Sequence, residues 1–443
     1  MSTTPGPARR GARLGSLLLA LTLVAALVVA ACGTTASPSP SPTPTSTPIP
    51  SPSPAASSTP PASPTPTPDP ATVYASIEKQ IQALRGLTAT RPVEPKTLDE
   101  AGLREFVEKD FFESTPPEYL AAYDRLYKRL DLLGPDDSLL ALFTEYFASQ
   151  ILGFYSPDTK ELYVVARSGG LGPTERFTFA HEFTHALQDQ TFDMQKLVLD
   201  ALDQSDRGLA RLSLVEGDAT LSGTYWATQN LTPEELTLMI REASDPKYLA
   251  ALEKIPPIIR DTLVLPYDAG LTFVLGLQAA GGWASVDAAF EAPPDSTEQI
   301  LHPEKYAPRE KPIPVDFPAD LSARMGDGWA EGLVDTFGEF ELRVWLRESG
   351  VEKRAAEAAA AGWGGDRVVL LDGPKGATTV VIDTRWDSTA DAAEFAAAAE
   401  TAVGGLDGST AVLAPVGGTR VTVFACSSAT ALSRAAGALG LAE

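Results

Sequence analysis

Histidine and cysteine are the scarce residues of this 443-residue chain, which has three of the first and two of the second. With only Cys32 and Cys426 available, a cysteine-built zinc site or disulfide framework is excluded. Any imidazole chemistry must draw on His181, His185 and His302. Basic residues are also short, with 35 Lys and Arg against 58 Asp and Glu, for a net charge of −23. That balance lacks the basic footprint of a nucleic-acid binder, so no nucleic-acid partner is expected. What the chain has in quantity is apolar residues, 44% of the total, enough at this length for two domains with real cores.

Residues 1–31 read as a secretion signal. Arg9, Arg10 and Arg13 precede an apolar stretch, Leu14 to Ala31, too short and too weakly flanked to read as a spanning helix. The residues around Arg9-Arg10 do not support a twin-arginine signal. Val29-Ala30-Ala31-Cys32-Gly33 puts small residues before a cysteine and resembles a bacterial lipoprotein lipobox. The resemblance implies cleavage before Cys32, lipidation of Cys32, and anchoring to the outer face of the cell membrane; an ordinary signal peptide or uncleaved anchor is the alternative. Loss of the three arginines takes the net charge from −23 to −26, so the body has no reason to lie on anionic lipid. Residues 32–70 form a Pro/Ser/Thr-rich linker. Of the 37 prolines, 14 fall between residues 36 and 70, and no charge occurs between Arg13 and Asp69. Such a segment cannot bury a core and favours polyproline II, reaching about 110 Å at roughly 3.1 Å per residue.

The expected fold class is α+β: a mainly helical body over residues 71–351 with a short sheet, then a small α+β domain over residues 362–443. Apolar spacings of three and four predict helices over Leu98–Ser114, Pro117–Leu133 and Ser138–Tyr155. A turn at Ser156–Thr159 leads into a strand, Glu161–Ala166. Thr174 is the candidate N-cap of a helix running to about Gln190. Toward the C-terminus, Val368–Leu371, Thr379–Ile382, Thr410–Leu413 and Val421–Phe424 read as strands, and Asp391–Val403 and Ala429–Leu439 as helices. Gly362–Arg367 lacks the spacing of a phosphate loop and precedes a strand instead of following one. Cys426, beside an apolar run, reads as a buried inert thiol.

His181-Glu182-Phe183-Thr184-His185 lies inside the helix that starts near Thr174. Histidines at i and i+4 share a helix face about one turn apart, roughly 6 Å along the axis, so both can face one ion. Glu182 is offset around the helix, where it reaches a metal-bound water more easily than the metal itself. Neutral imidazole suits Zn²⁺, the metal lowers the pKa of its water, and a carboxylate takes the proton. By composition the pattern arises by chance in roughly one such chain in several hundred. Two satisfied helix histidines are the plain alternative.

The segment resembles the active-site helix of zincin metallopeptidases, and the strand Glu161–Ala166 resembles the edge strand that binds extended substrate in that fold. The longer string His181-Glu-Phe-Thr-His-Ala-Leu-Gln-Asp-Gln190 is similar to a group of bacterial and archaeal surface proteins, with matching stretches from about Gly153 to Tyr306. A metzincin would need glycine at 188 and histidine at 191, where this chain has Gln188 and Thr191. The gluzincin pattern instead takes a glutamate from a following helix. Glu216, 31 residues after His185 in an apolar stretch, is the candidate third ligand, and a similar Glu-Gly-Asp-Ala run occurs in the resembling group. A salt-bridged surface glutamate is the other reading. Asp218 or Asp189 could orient a ligating imidazole, though each could be a solvated helical acid.

Two residues compete to stabilise an oxyanion. His302 ends a short helix in Pro294–Tyr306 and could instead be a turn histidine or replace Glu216 as a ligand. Tyr267 could be an oxyanion donor or a phenol satisfied by backbone. The expectation is a secreted, lipid-anchored zinc metallopeptidase acting on peptide or protein substrates. His181, His185 and Glu216 would hold Zn²⁺, with Glu182 as general base. The rival is a non-catalytic surface module that binds or scaffolds.

Overall fold

A computed structural model of the chain describes residues 69–107, 117–165, 171–199 and 204–441. The expected signal segment 1–31, Cys32 and the linker through residue 68 lie outside these residues, as do Ala166 and the end of the helix expected over Leu98–Ser114.

Helix α1 (Pro70–Arg85) opens on a proline and closes on Gly86, whose φ of 79° lets its N–H cap the Gln82 carbonyl. Ile77, Ile81 and Arg85 recur every four residues and form its buried face. Strand β1 (Pro95–Leu98) follows, then a helix over Glu100–Phe106 whose start is capped by Asp99, accepting the Gly102 N–H at 2.7 Å. The expected helix from Leu98 is therefore corrected to strand, cap and short helix. Helix α2 (Leu139–Gln150) stops before the expected Tyr155, because Gly153–Ser156 forms strand β2. That apolar run is almost wholly buried, and periodicity cannot separate a short buried strand from the end of a buried helix. Strand β3 (Glu161–Val165) lies in the middle of the sheet, in the order β1-β3-β2. It pairs parallel with β1 and antiparallel with β2, opposing Phe154 to Tyr163. The strand expected at an edge is thus the central one.

Helices α3 (Pro173–Phe192), α4 (Ser205–Asn230) and α5 (Pro257–Gly281) form the core of the helical layer. Helix α3 starts after Gly172 with Pro173 in its first turn, so Thr174 is inside the helix and not its N-cap. Most of α3 and α4 is buried around the full circumference, which explains their weak amphipathic signal. Helices α4 and α5 touch backbone to backbone. A Cβ on Gly217 would overlap the Gly270 carbonyl, and one on Gly270 would overlap that of Ser213. This contact brings Glu216 on one helix close to Tyr267 on the other. Helix α5 is long and apolar enough to cross a membrane, but Ile258, Leu265, Tyr267, Phe273 and Val274 are buried in the protein core.

The C-terminal unit comprises β4 (Ala330–Asp335), α6 (Gly338–Glu348), β5 (Trp363–Asp372), β6 (Thr378–Trp386), α7 (Thr389–Val403), β7 (Ser409–Leu413), β8 (Arg420–Cys426) and α8 (Ala429–Ala438). The sheet is antiparallel in the order β4-β5-β6-β8-β7. Alternate residues serve its two faces. Val368 and Leu370 pack with Phe395 of α7 and Trp345 of α6, while Val369 and Leu371 pack with Ala431 and Ala435 of α8. Cys426 is buried and free, as expected, and burial pushes its thiol up to about 11. The unit begins at Ala330 and not at Gly362, because β4 pairs with β5, opposing Val334 to Val369. Ala330–Asp335 has a glycine, two acids and no clean alternation, and two helices separate it from β5. The cluster around Val368, Leu370, Trp345 and Phe395 also contains Leu126, Phe147, Leu265 and Tyr267, so this sheet and the helical body share one core.

Buried carboxylates hold the junction. Asp335 accepts the Ser205 N–H at 2.8 Å, at the start of α4. Asp366 accepts the N–H groups of Phe337 and Gly338 at 3.0 and 2.8 Å and the Trp363 indole at 2.9 Å. Burial pushes Asp335 and Asp366 up to about 6, and raises Asp206 and Glu341 well above the usual carboxylate range, with neighbouring carboxylates adding to the rise.

Two outcomes follow from this packing. Gly217→Ala should destabilise the protein by ~3 kcal/mol or more in urea unfolding, because two backbones must separate. Gly276→Ala, in the same helix layer with nothing within 4 Å of its Cβ, should be neutral or slightly stabilising. For the junction, the folded pKa values exceed the unfolded range near 4, so the stability these groups contribute is full below about pH 4 and lost as pH rises through about 6. Calorimetry should show the melting temperature falling across that window, and Asp335→Asn should flatten part of the fall; an unchanged slope would contradict the assignment.

Candidate metal centre

Helix α3 carries His181, Glu182 and His185, and α4 carries Glu216, all of them buried. The histidine Nε2 atoms are 3.0 Å apart. Glu216 Oε2 lies 3.1 Å from His181 Nε2 and 3.3 Å from His185 Nε2. Zinc bonds of about 2.0–2.1 Å in a tetrahedron put ligand atoms about 3.3 Å apart, so this triangle matches one face of such a site to within a few tenths of an ångström. Glu216 Oε1 is buried and, among the described residues, has no hydrogen-bond partner in good geometry, with the Tyr267 hydroxyl beside the carboxylate.

The tautomer of His185 follows from its neighbours. Gln188 Nε2 donates to the Val215 carbonyl at 3.0 Å and to Asp218 Oδ2 at 2.9 Å, both acceptors only. Its Oε1 therefore faces His185 Nδ1, at 2.9 Å, and that nitrogen must carry the proton. A neutral His185 then has its Nε2 lone pair aimed at the other two donors. Three such atoms repel one another unless a cation or protons sit among them. With protons alone, burial disfavours the charged form of His185, but Glu216 outweighs it and lifts the pKa to about 9, while burial lowers that of His181.

Glu182 is anchored from another element. It sits beside β2, and the backbone N–H of Tyr155 donates to its carboxylate. Burial, with the Glu216 charge adding, raises its pKa well above the ordinary range. Gly153 is required at this spot: a Cβ there would strike Thr178 and the Tyr163 carbonyl and press on Glu182 Cγ. The sheet edge nearest the site is therefore β2. Asp189 fastens β2 to α3, accepting the Tyr155 hydroxyl at 2.7 Å and pairing with Arg91 and Lys160 at 2.9 Å. It does not touch an imidazole. Asp218 reaches His185 only through Gln188, and is itself held by Arg85 Nε at 2.7 Å.

The structure thus brings together His181, His185, Glu216, Glu182 and Tyr267. The Tyr267 ring lies 6.3 Å from that of His181, and burial, with Glu216 and Glu182 adding, raises its phenol well above its usual pKa. It does not bring His302. That side chain, 32% exposed, pairs with Glu339 at 2.9 Å and lies 3.7 Å from Glu304. Its helix, Thr297–Leu301, is hydrogen-bonded through Thr297 to Asp206, ten residues before Glu216 and about 15 Å away along α4. His302 thus sits between two short helices, and its partners are Glu339 and Glu304, not members of the triangle. Glu298, Glu310 and Asp387 also converge, but Lys305 Nζ reaches all three at 2.7, 3.0 and 2.5 Å and supplies their cation. Sequence reasoning missed Gln188 and Arg85. The i, i+3 spacing of His185 and Gln188 is a usable signal, whereas nothing local links Arg85 to Asp218, 133 residues later.

Residues 330–436 match a family described as a domain of unknown function (DUF8575), a region that excludes the histidine pair and Glu216. No curated protein and no solved structure matches the chain. His302→Gln should leave metal content unchanged and lower stability by about 1–3 kcal/mol through the loss of the buried Glu339 contact. Metal content by mass spectrometry and urea unfolding check the two halves; loss of metal would return His302 to the site.

Proposed function

We propose that the chain is a zinc-dependent metallohydrolase, most simply a peptidase, secreted and held at the outer face of the membrane through lipidated Cys32. The observation that carries this reading is the buried triangle of His181, His185 and Glu216 donor atoms beside Glu182. Those three residues would hold the ion. When bound there, zinc supplies Lewis acidity and makes water acidic enough to lose a proton near neutral pH. Glu182 would serve as the base for a water proton and then as the acid for the leaving amine. Tyr267, kept protonated by its raised pKa, donates a hydrogen bond to the oxygen on which charge develops. Gln188 holds the His185 ring so that Nε2 stays a lone-pair donor. An extended peptide would run alongside β2, whose Tyr155 N–H orients Glu182.

The complete burial of Glu182 and both histidines favours a second reading, a zincin-like surface module whose metal stabilises it and whose cleft binds without cutting. The two readings part at Glu182, because a structural ion needs no base. In a peptide-library cleavage assay, Glu182→Gln should keep a full equivalent of zinc and lose at least 100-fold in kcat. Undiminished cleavage by the mutant would sink the mechanism, and no cleavage by the wild type would favour the binding module.

A further inference from the structure

We infer that Arg85, at the end of α1, is a positioning residue for the metal ligand His185, so that docking of the N-terminal helix sets how tightly the site holds its ion. The inference rests on the metal-site reading above. The connection is a continuous line of polar contacts through the protein interior. His185 Nδ1 donates to Gln188 Oε1 at 2.9 Å, Gln188 Nε2 donates to Asp218 Oδ2 at 2.9 Å, and Arg85 Nε donates to Asp218 Oδ1 at 2.7 Å. Arg85 and Asp218 have fully buried side chains.

Each link constrains the next. Gln188 can present oxygen to His185 only while its amide nitrogen has acceptors, and Asp218 is one of two. Asp218 accepts from Gln188 through Oδ2 while Arg85 holds its Oδ1, so the guanidinium fixes where that acceptor stands. Arg85 is fixed on its far side by Asp287 at 2.7 Å and lies over the Trp283 ring at 4.7 Å from its centroid. These contacts tie α1 to α4 and to the Trp283–Glu291 helix. Without Arg85, nothing would hold Asp218 Oδ1 from behind, the carboxylate could turn away from Gln188, and Gln188 would be freed to turn its amide. His185 could then adopt the tautomer that puts a proton on Nε2, the atom the metal needs.

The test is zinc affinity of the full chain, measured by competition with a chromophoric chelator, alongside melting curves in EDTA to confirm folding. Gln188→Met, which leaves the Arg85–Asp218 pair intact, should weaken zinc binding 10–100-fold, as for other groups that support a metal ligand. Arg85→Met should weaken it about 10-fold, and Arg85→Lys, which keeps a cation near Asp218, should recover part of the loss. The double variant Arg85→Met/Gln188→Met should bind no more weakly than Gln188→Met alone, because both act along one line. If the two losses multiply, Arg85 matters only to general stability and the inference is overturned. Unchanged affinity in Arg85→Met or in Gln188→Met also overturns it, with wild-type zinc binding leaving the metal reading intact. A wild type that binds no zinc ends the metal reading, and this inference with it.

Discussion

Three lone-pair donors aimed at one buried point are unstable unless something positive joins them. His181 Nε2, His185 Nε2 and Glu216 Oε2 stand 3.0–3.3 Å from one another, and all three side chains are buried. Much of the surrounding structure serves this constraint. Helices α4 and α5 meet at Gly217 and Gly270 so that Glu216 and Tyr267 can share the space. Strand β2 is pinned to α3 by Asp189, which fixes the Tyr155 N–H against Glu182. Gln188 sets the protonation of His185 from behind.

The molecule treats charge differently in its two regions. Around the histidine pair, buried carboxylates have cationic or imidazole partners: Asp218 has Arg85, Asp189 has Arg91 and Lys160, and Glu216 has both histidines. At the junction with the C-terminal sheet, Asp335 and Asp366 are held mainly by backbone N–H groups, and their pKa values rise to about 6. Side-chain partners thus hold Asp218, Asp189 and Glu216, while backbone donors hold Asp335 and Asp366 at the junction.

Sequence reasoning reached the metal-type trio because the i, i+4 spacing of two rare residues is a local signal, and because an acid in an apolar stretch needs a partner. The C-terminal strands and helices were legible for the same reason: alternation and caps are local. β4 was not legible, since its pairing with β5 spans two helices and its own pattern is weak. The central place of β3 was hidden because β1, which pairs with it, lies over sixty residues earlier. His302 drew attention because histidine is rare and because it ends a short helix before a proline, while its contact with Glu339 follows from tertiary packing that no short motif records. Arg85 was invisible for that reason too.

The central claim is that these three side chains together hold one ion. X-ray absorption at the zinc edge on the purified chain tests it most directly. Two nitrogen ligands and a carboxylate oxygen, each at about 2.0–2.2 Å in four-coordinate geometry, are the predicted result. An all-oxygen shell, or no bound zinc, would contradict it.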